Sequence, residues 1–69
     1  MNKNMWYAVD EGGRAILYTE KPVRCVRDWD SPVWIDAIEV FGEIPKELEP
    51  ITWNDEPIEL EIKFEIKSK

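Results

Sequence analysis

The chain has 69 residues, among them nine basic and fifteen acidic side chains, one cysteine and no histidine, and its net charge is −6. These counts exclude an internal disulfide, a zinc site built from cysteine and histidine, and the catalytic triads that depend on histidine. The acidic balance also argues against sequence-independent binding to nucleic-acid phosphates. We expect residues 1–69 to form a single small β-domain, with the modest stability typical of this length.

The N-terminal residues lead directly into strand-like sequence. No apolar stretch of signal or membrane length precedes them, which predicts a cytoplasmic protein without membrane contact. Small domains are often stabilised by a disulfide, a metal or a second copy, so a homodimer is an open alternative. Cys25 lies close to Val23 and Val26 and is expected to be a small buried hydrophobic residue.

Two strand-like runs near the start of the chain predict a β-hairpin. Residues 5–9 (MWYAV) and 14–19 (RAILYT) are rich in residues that favour strands, and the loop between them contains Gly12 and Gly13. Glycine supplies the positive φ that tight hairpin loops require. Residues 23–27 (VRCVR) follow a proline, which cannot donate to a strand ladder, and are expected to form a short third strand.

Residues 33–41 (VWIDAIEVF) fit two alternative structures. As a helix, the segment has Ser31 as its N-cap, Pro32 at the first helical position and Gly42 at its end. As a strand, it is favoured by its β-branched and aromatic content. We favour the strand and keep the helix as the alternative.

The last third of the chain contains the clearest strand pattern. Residues 42–50 are a connection with at most one helical turn after Pro45, and residues 54–57 (NDEP) predict a turn. Residues 58–66 (IELEIKFEI) alternate strictly, so an apolar row faces a core and a charged row faces water. The predicted fold is all-β, a small antiparallel sheet or barrel-like domain of four or five strands, with one short helix or an α+β arrangement as the alternative.

Three fragments resemble small uncharacterised proteins of bacteriophages and prophages. They are residues 7–10 (YAVD), 20–24 (EKPVR) and 53–60 (WNDEPIEL), at the two ends of the chain. The resemblance does not cover residues 33–41. The resemblance implies a biological context and no particular chemical activity, because small phage accessory proteins often bind and block a host defence protein or its signalling molecule.

Four tryptophans in so short a chain are unusual, and two or three of them are expected to fill the core. Trp29 is the exception, because it lies between Asp28 and Asp30 in a sequence that predicts a turn. Trp53 precedes another acidic turn. Exposed tryptophans mark contact surfaces, since tryptophan and arginine dominate binding hot spots.

Two arginines and two carboxylates close to Trp29 have alternative interpretations. Arg24 and Arg27 are either solvated side chains paired with nearby acids or a phosphate clamp beside the indole, as in a nucleotide pocket. Asp28 and Asp30 are two residues apart in the sequence, a spacing compatible with a binding site for a hard metal ion or with the catalytic carboxylates of a glycosidase. A polar turn explains the two residues better. We therefore expect no catalytic residue, metal or cofactor.

The sequence thus favours a non-enzymatic binding protein of the phage accessory type, which inhibits a host protein through an acidic and aromatic surface. One alternative is a nucleotide-binding sponge that sequesters a small phosphorylated signal. Another is a structural subunit of a larger assembly. The residues expected to contact a ligand or partner are Arg24, Arg27, Asp28, Trp29, Asp30 and Trp53.

Overall fold

The computed structural model describes residues 2–63, which contain six β-strands, one short α-helix and one 3₁₀ turn. In chain order the elements are β1 (Asn2–Val9), β2 (Ala15–Tyr18), β3 (Val23–Arg24), β4 (Trp29–Asp30), β5 (Trp34–Asp36), α1 (Ala37–Phe41), the 3₁₀ turn (Lys46–Leu48) and β6 (Ile58–Lys63). Four strands form an antiparallel sheet in the order β5–β2–β1–β6, and β3 and β4 pair separately. The antiparallel sheet with a short helix is confirmed. Over the described residues it does not close into a barrel.

The predicted hairpin is present as β1 and β2, with Tyr7 opposite Leu17. Its loop is closed by Asp10, whose backbone N–H donates to the carbonyl of Arg14 at 3.0 Å and whose carboxylate accepts the Arg14 N–H at 2.9 Å. Gly13 has a φ of +89°, a conformation that side-chain-bearing residues rarely adopt. The loop sequence therefore fixes the register of the two strands.

The alternating segment forms β6, which pairs along β1 with Met5 opposite Leu60. Its apolar residues Ile58, Leu60 and Ile62 are half-buried, whereas Glu59 and Glu61 between them are exposed. The predicted strand is confirmed as far as it is described. Residues 64–66, which the prediction included, lie outside the described residues.

Both faces of the sheet are covered, and by different elements. The helix-covered face is the side on which α1 and the 3₁₀ turn pack, through Ala37 and Leu48. Its sheet residues are Met5, Tyr7, Val9 and Leu17. The tryptophan-covered face is the opposite side, where Ala8, Ile16 and Tyr18 pack against Trp29, with Trp6 and Trp53 at the margin. Because successive side chains of β1 and β2 point to opposite faces of the sheet, these two strands contribute to two small cores.

Residues 33–41 form a strand followed at once by a helix, so each alternative was right for about half of the segment. Strand β5 pairs with β2 and places Ile35 opposite Leu17. Helix α1 ends at Gly42, as predicted, with a φ of +82° and its N–H donating to Ile38 O at 2.8 Å.

The predicted helix start was wrong. The hydroxyl of Ser31 donates instead to the carbonyl of Glu20 at 3.3 Å, and the helix begins six residues later, at Ala37. Strand pairing with β2 accounts for the delay, because residues engaged in a sheet ladder cannot enter a helix. No helix among residues 2–63 is long and apolar enough to cross a membrane.

The expected third strand is shorter than predicted and belongs to a second hairpin. Strand β3 pairs with β4, placing Arg24 opposite Trp29, and the Cys25 N–H donates to Asp28 O at 2.8 Å. The thiol of Cys25 is exposed, so the expectation that it is buried was wrong. The reason is its position at the tip of this hairpin, next to Val26, whose exposed fraction is 87%.

Candidate functional site

Three of the predicted site residues come together in one cluster, which we call the Arg24 cluster (Arg24, Trp29 and Trp53). The guanidinium carbon of Arg24 lies 4.4 Å from the ring centroid of Trp29 and 4.4 Å from that of Trp53. The two indoles meet edge to face, with centroids 5.5 Å apart. A cation between two aromatic rings is attracted by both quadrupoles.

The hydrogen bonds of Arg24 also stay within the molecule. Its Nη1 donates to the carbonyl of Trp53 at 2.7 Å and its Nη2 to the carbonyl of Asp55 at 3.3 Å, while a Glu56 carboxylate oxygen lies 3.7 Å from Nη2. These contacts hold the turn before β6 against the β3–β4 hairpin. The Arg24 cluster therefore ties two loops together, and its guanidinium covers one face of each indole.

Trp29 is buried, so the expectation of an exposed tryptophan in a turn was wrong. Its exposed fraction is 7%, and its indole N–H donates to Val9 O at 2.9 Å. The physical reason is strand alternation in β4, which directs Trp29 toward the sheet and leaves Asp30 exposed. Because Asp28 and Asp30 flank Trp29, the sequence predicted a turn at this two-residue strand.

Arg27 does not join Arg24. Its side chain is 81% exposed, and its Nε lies 3.9 Å from a Glu11 carboxylate oxygen. A pair this exposed and this long contributes little to stability. Arg24 and Arg27 therefore do not form one clamp in this structure, because Arg24 packs on its own indoles and Arg27 is solvated. Among residues 2–63 there is also no group of three or more metal-binding side chains.

A cleft of about 170 Å³ opens beside the Arg24 cluster, between the β3–β4 hairpin and strand β5. We call it the edge cleft, and it is lined by Asp10, Arg14, Ile16, Tyr18, Asp28, Trp29 and Trp34. It lies on the tryptophan-covered face, because Tyr18 belongs to that face and Trp34 is its cross-strand partner. Only two of the predicted site residues, Asp28 and Trp29, take part in it.

Trp34 is the most accessible tryptophan in the described residues, with an exposed fraction of 53%. The guanidinium of Arg14 lies 5.2 Å from its ring centroid. Arg14 is held in turn by both oxygens of Asp36, each 2.7 Å away from a guanidinium nitrogen. This hydrogen bonding holds the pKa of Asp36 below its usual range. The exposed indole is therefore supported by a two-pronged ion pair.

The interior of the edge cleft is acidic. Burial, together with the charges of Asp10 and Asp28, raises the pKa of Tyr18 to about 12, and the charge of Arg14 opposes this rise. The hydroxyl of Tyr18 is therefore protonated at neutral pH. Asp10, Asp28 and Asp36 stand against one guanidinium, which gives this region a local net charge of −2.

Exposed apolar side chains are concentrated in one short stretch of the chain, which includes Trp34 of the cleft lining. Seven large hydrophobic residues are exposed in the described part of the chain, and five of them fall within residues 33–40. We call these five the exposed apolar segment: Val33, Trp34, Ile35, Ile38 and Val40. The sequence prediction missed them because it left residues 33–41 open between strand and helix and assigned no contact role to them.

The sequence analysis did not predict the edge cleft, although the two-residue spacing of some lining residues indicates that they share a face. Ile16 and Tyr18 are spaced two apart in β2 and so share one face, and Arg14 continues the same spacing immediately before the strand. Trp34 and Asp36 share the same spacing, but only the pairing of β5 with β2 places them beside the first set. Residue spacing alone does not predict this pairing, because it depends on the tertiary structure.

Comparisons with protein-family models, with curated proteins and with solved structures found no significant match.

Proposed function

We propose that this chain is a non-enzymatic binding protein that docks on a basic and apolar surface of another protein. The observation that carries the proposal is the exposed apolar segment, five large hydrophobic side chains within eight residues at one edge of the sheet. Several exposed apolar side chains in one short stretch are typical of interaction sites, whereas single exposed hydrophobic residues are ordinary. Trp34 and Ile35 face opposite sides of the sheet, so a partner that contacts both wraps around the edge strand β5. Trp34 is its natural anchor, since tryptophan is enriched in binding hot spots.

The preferred partner is basic because of the charge around the segment. The chain carries a net charge of −6, and Asp10 and Asp28 line the cleft beside Trp34. Opposite charges speed association and suppress the wrong partners. Arg14 does not cancel this field, since it is paired with Asp36.

The setting we propose follows the resemblance of the three sequence fragments to phage proteins. The chain would act in the cytosol of a host bacterium, as an accessory protein that inhibits a host protein by occupying its basic surface. Inhibition by occupation needs no catalytic group. It requires a rigid anchor and a complementary charge, and the Trp34–Arg14–Asp36 arrangement supports the first of these.

The two alternative functions receive different support. For the nucleotide sponge, the indoles that would stack on a base are packed against Arg24, and Trp29 is buried, so no observation favours it. For the structural subunit, strand β6 pairs only with β1 within the described residues, leaving its outer backbone groups open to a second copy. The exposed Glu59 and Glu61 oppose such pairing by like-charge repulsion.

Native mass spectrometry of the protein before and after incubation with bacterial lysate tests the proposal. We expect the mass to rise by that of a whole protein. The gain should disappear with Asp28→Lys and persist with Asp30→Lys, since the two variants change net charge equally but only Asp28 lines the cleft. A gain of a few hundred daltons, or multiples of the chain's own mass, would contradict the proposal, as would equal binding by both variants.

A further inference from the structure

The edge cleft has the chemical character of a site for an organic cation. Two carboxylates, Asp10 and Asp28, line it together with the aromatic side chains of Tyr18, Trp29 and Trp34. Carboxylates pair with a cation, and aromatic faces attract it through their quadrupoles. The cleft's one basic residue, Arg14, is committed to Asp36 through two short hydrogen bonds. The Asp10 carboxylate accepts the Arg14 backbone N–H through one oxygen, and among residues 2–63 neither Asp10 nor Asp28 forms an ion pair with a basic side chain.

We propose that the edge cleft binds the guanidinium group of an arginine side chain presented by the protein partner. This inference rests on the proposed function and specifies which group of the partner enters the site. Arginine is favoured over lysine because a planar guanidinium stacks on an indole and still donates to carboxylates at its edge. The same molecule already makes such contacts on this face, with Arg14 on Trp34 and Arg24 on Trp29 and Trp53.

The size of the cleft fits a side-chain end rather than a free metabolite. Its volume of about 170 Å³ corresponds to a few water molecules, each of which occupies roughly 30 Å³ in the liquid. Pockets for drug-sized ligands are typically about 300–1,000 Å³. A guanidinium with its last methylene groups is of the right order for this cleft. The cleft also lies beside the exposed apolar segment, so a partner seated there could extend one arginine into it.

The test uses N-acetyl-arginine N-methylamide as the probe, titrated into the isotope-labelled protein and followed by the backbone and indole N–H signals in NMR spectra. The citrulline derivative is the control, because it keeps the shape of the side chain and lacks the charge. We expect saturable shifts centred on Trp34 and Asp28. We expect binding at least about tenfold weaker for the citrulline probe, the size of one lost cation–π and charge-assisted contact.

A matched pair of variants locates the site. Asp28→Asn should weaken binding of the arginine probe about fivefold, and Asp30→Asn should leave it within about twofold, because only Asp28 lines the cleft. Circular dichroism verifies that both variants keep the fold. Linear shifts without saturation, equal binding of the citrulline probe, or equal binding of the corresponding lysine probe would each overturn the inference. If lysate capture depends on Asp28 while the arginine probe does not bind, the proposed function stands and this inference fails.

Discussion

Two arginine–tryptophan sites lie on the same face of the sheet, and they differ in what surrounds them. In the Arg24 cluster, the guanidinium packs against two indoles, and its donors bind the carbonyls of a neighbouring turn. At the edge cleft, the Arg14 guanidinium contacts one indole, and that indole is half exposed. The same residue types therefore serve folding in one place and present a contact surface in the other. What decides between these roles is whether another loop covers the tryptophan.

The largest difference between the two sites should appear in the effect of removing their tryptophans. Trp29→Ala is expected to lower the free energy of unfolding by about 3–5 kcal/mol, because it leaves a cavity and deprives Val9 O of its donor. Trp34→Ala should cost less than about 1 kcal/mol, since half of its surface is already in water. Urea unfolding of the two variants measures both values. Equal losses would show that the two sites do not differ in structural role.

Substitution of Arg24 should also lower the free energy of unfolding, by less than substitution of Trp29. Arg24→Ala is expected to cost about 2 kcal/mol of unfolding free energy, through its lost ring contacts and its hydrogen bonds to the turn before β6. Arg27→Ala is the control and should stay within about 0.5 kcal/mol, because its side chain is solvated. An Arg24→Ala protein with unchanged stability would contradict the structural role of the cluster. It would also restore Arg24 as a candidate ligand-binding residue.

Much of the fold could be predicted because the relevant signals are local. Alternation marked β6, two glycines marked the loop between β1 and β2, and Gly42 marked the end of α1. The pattern failed where a strand was too short to show its period, as in β4, where Trp29 is buried between two acidic residues. It also failed at residues 33–41, where strand and helix follow each other without a break.

The candidate site was harder to predict because its residues come from separate parts of the chain. The sequence placed Arg24 near Trp29 and treated Trp53 separately, and it could not tell that the three side chains contact one another. Trp34 was absent from the predicted site, because its exposure depends on β5 being an edge strand. Composition supplies the types of residue present, and only the pairing of strands shows which side chains remain uncovered.

The affinity of Trp34→Ala for the captured protein partner tests the central claim most directly. Isothermal titration calorimetry with the wild-type protein, Trp34→Ala and the hairpin-tip control Val26→Ala provides the comparison, since Val26 is an exposed apolar residue outside the exposed apolar segment. We predict at least about a tenfold loss of affinity for Trp34→Ala, as expected of a hot-spot tryptophan, and no loss for Val26→Ala. Unchanged affinity of a folded Trp34→Ala protein, or an equal loss in both variants, would contradict the account.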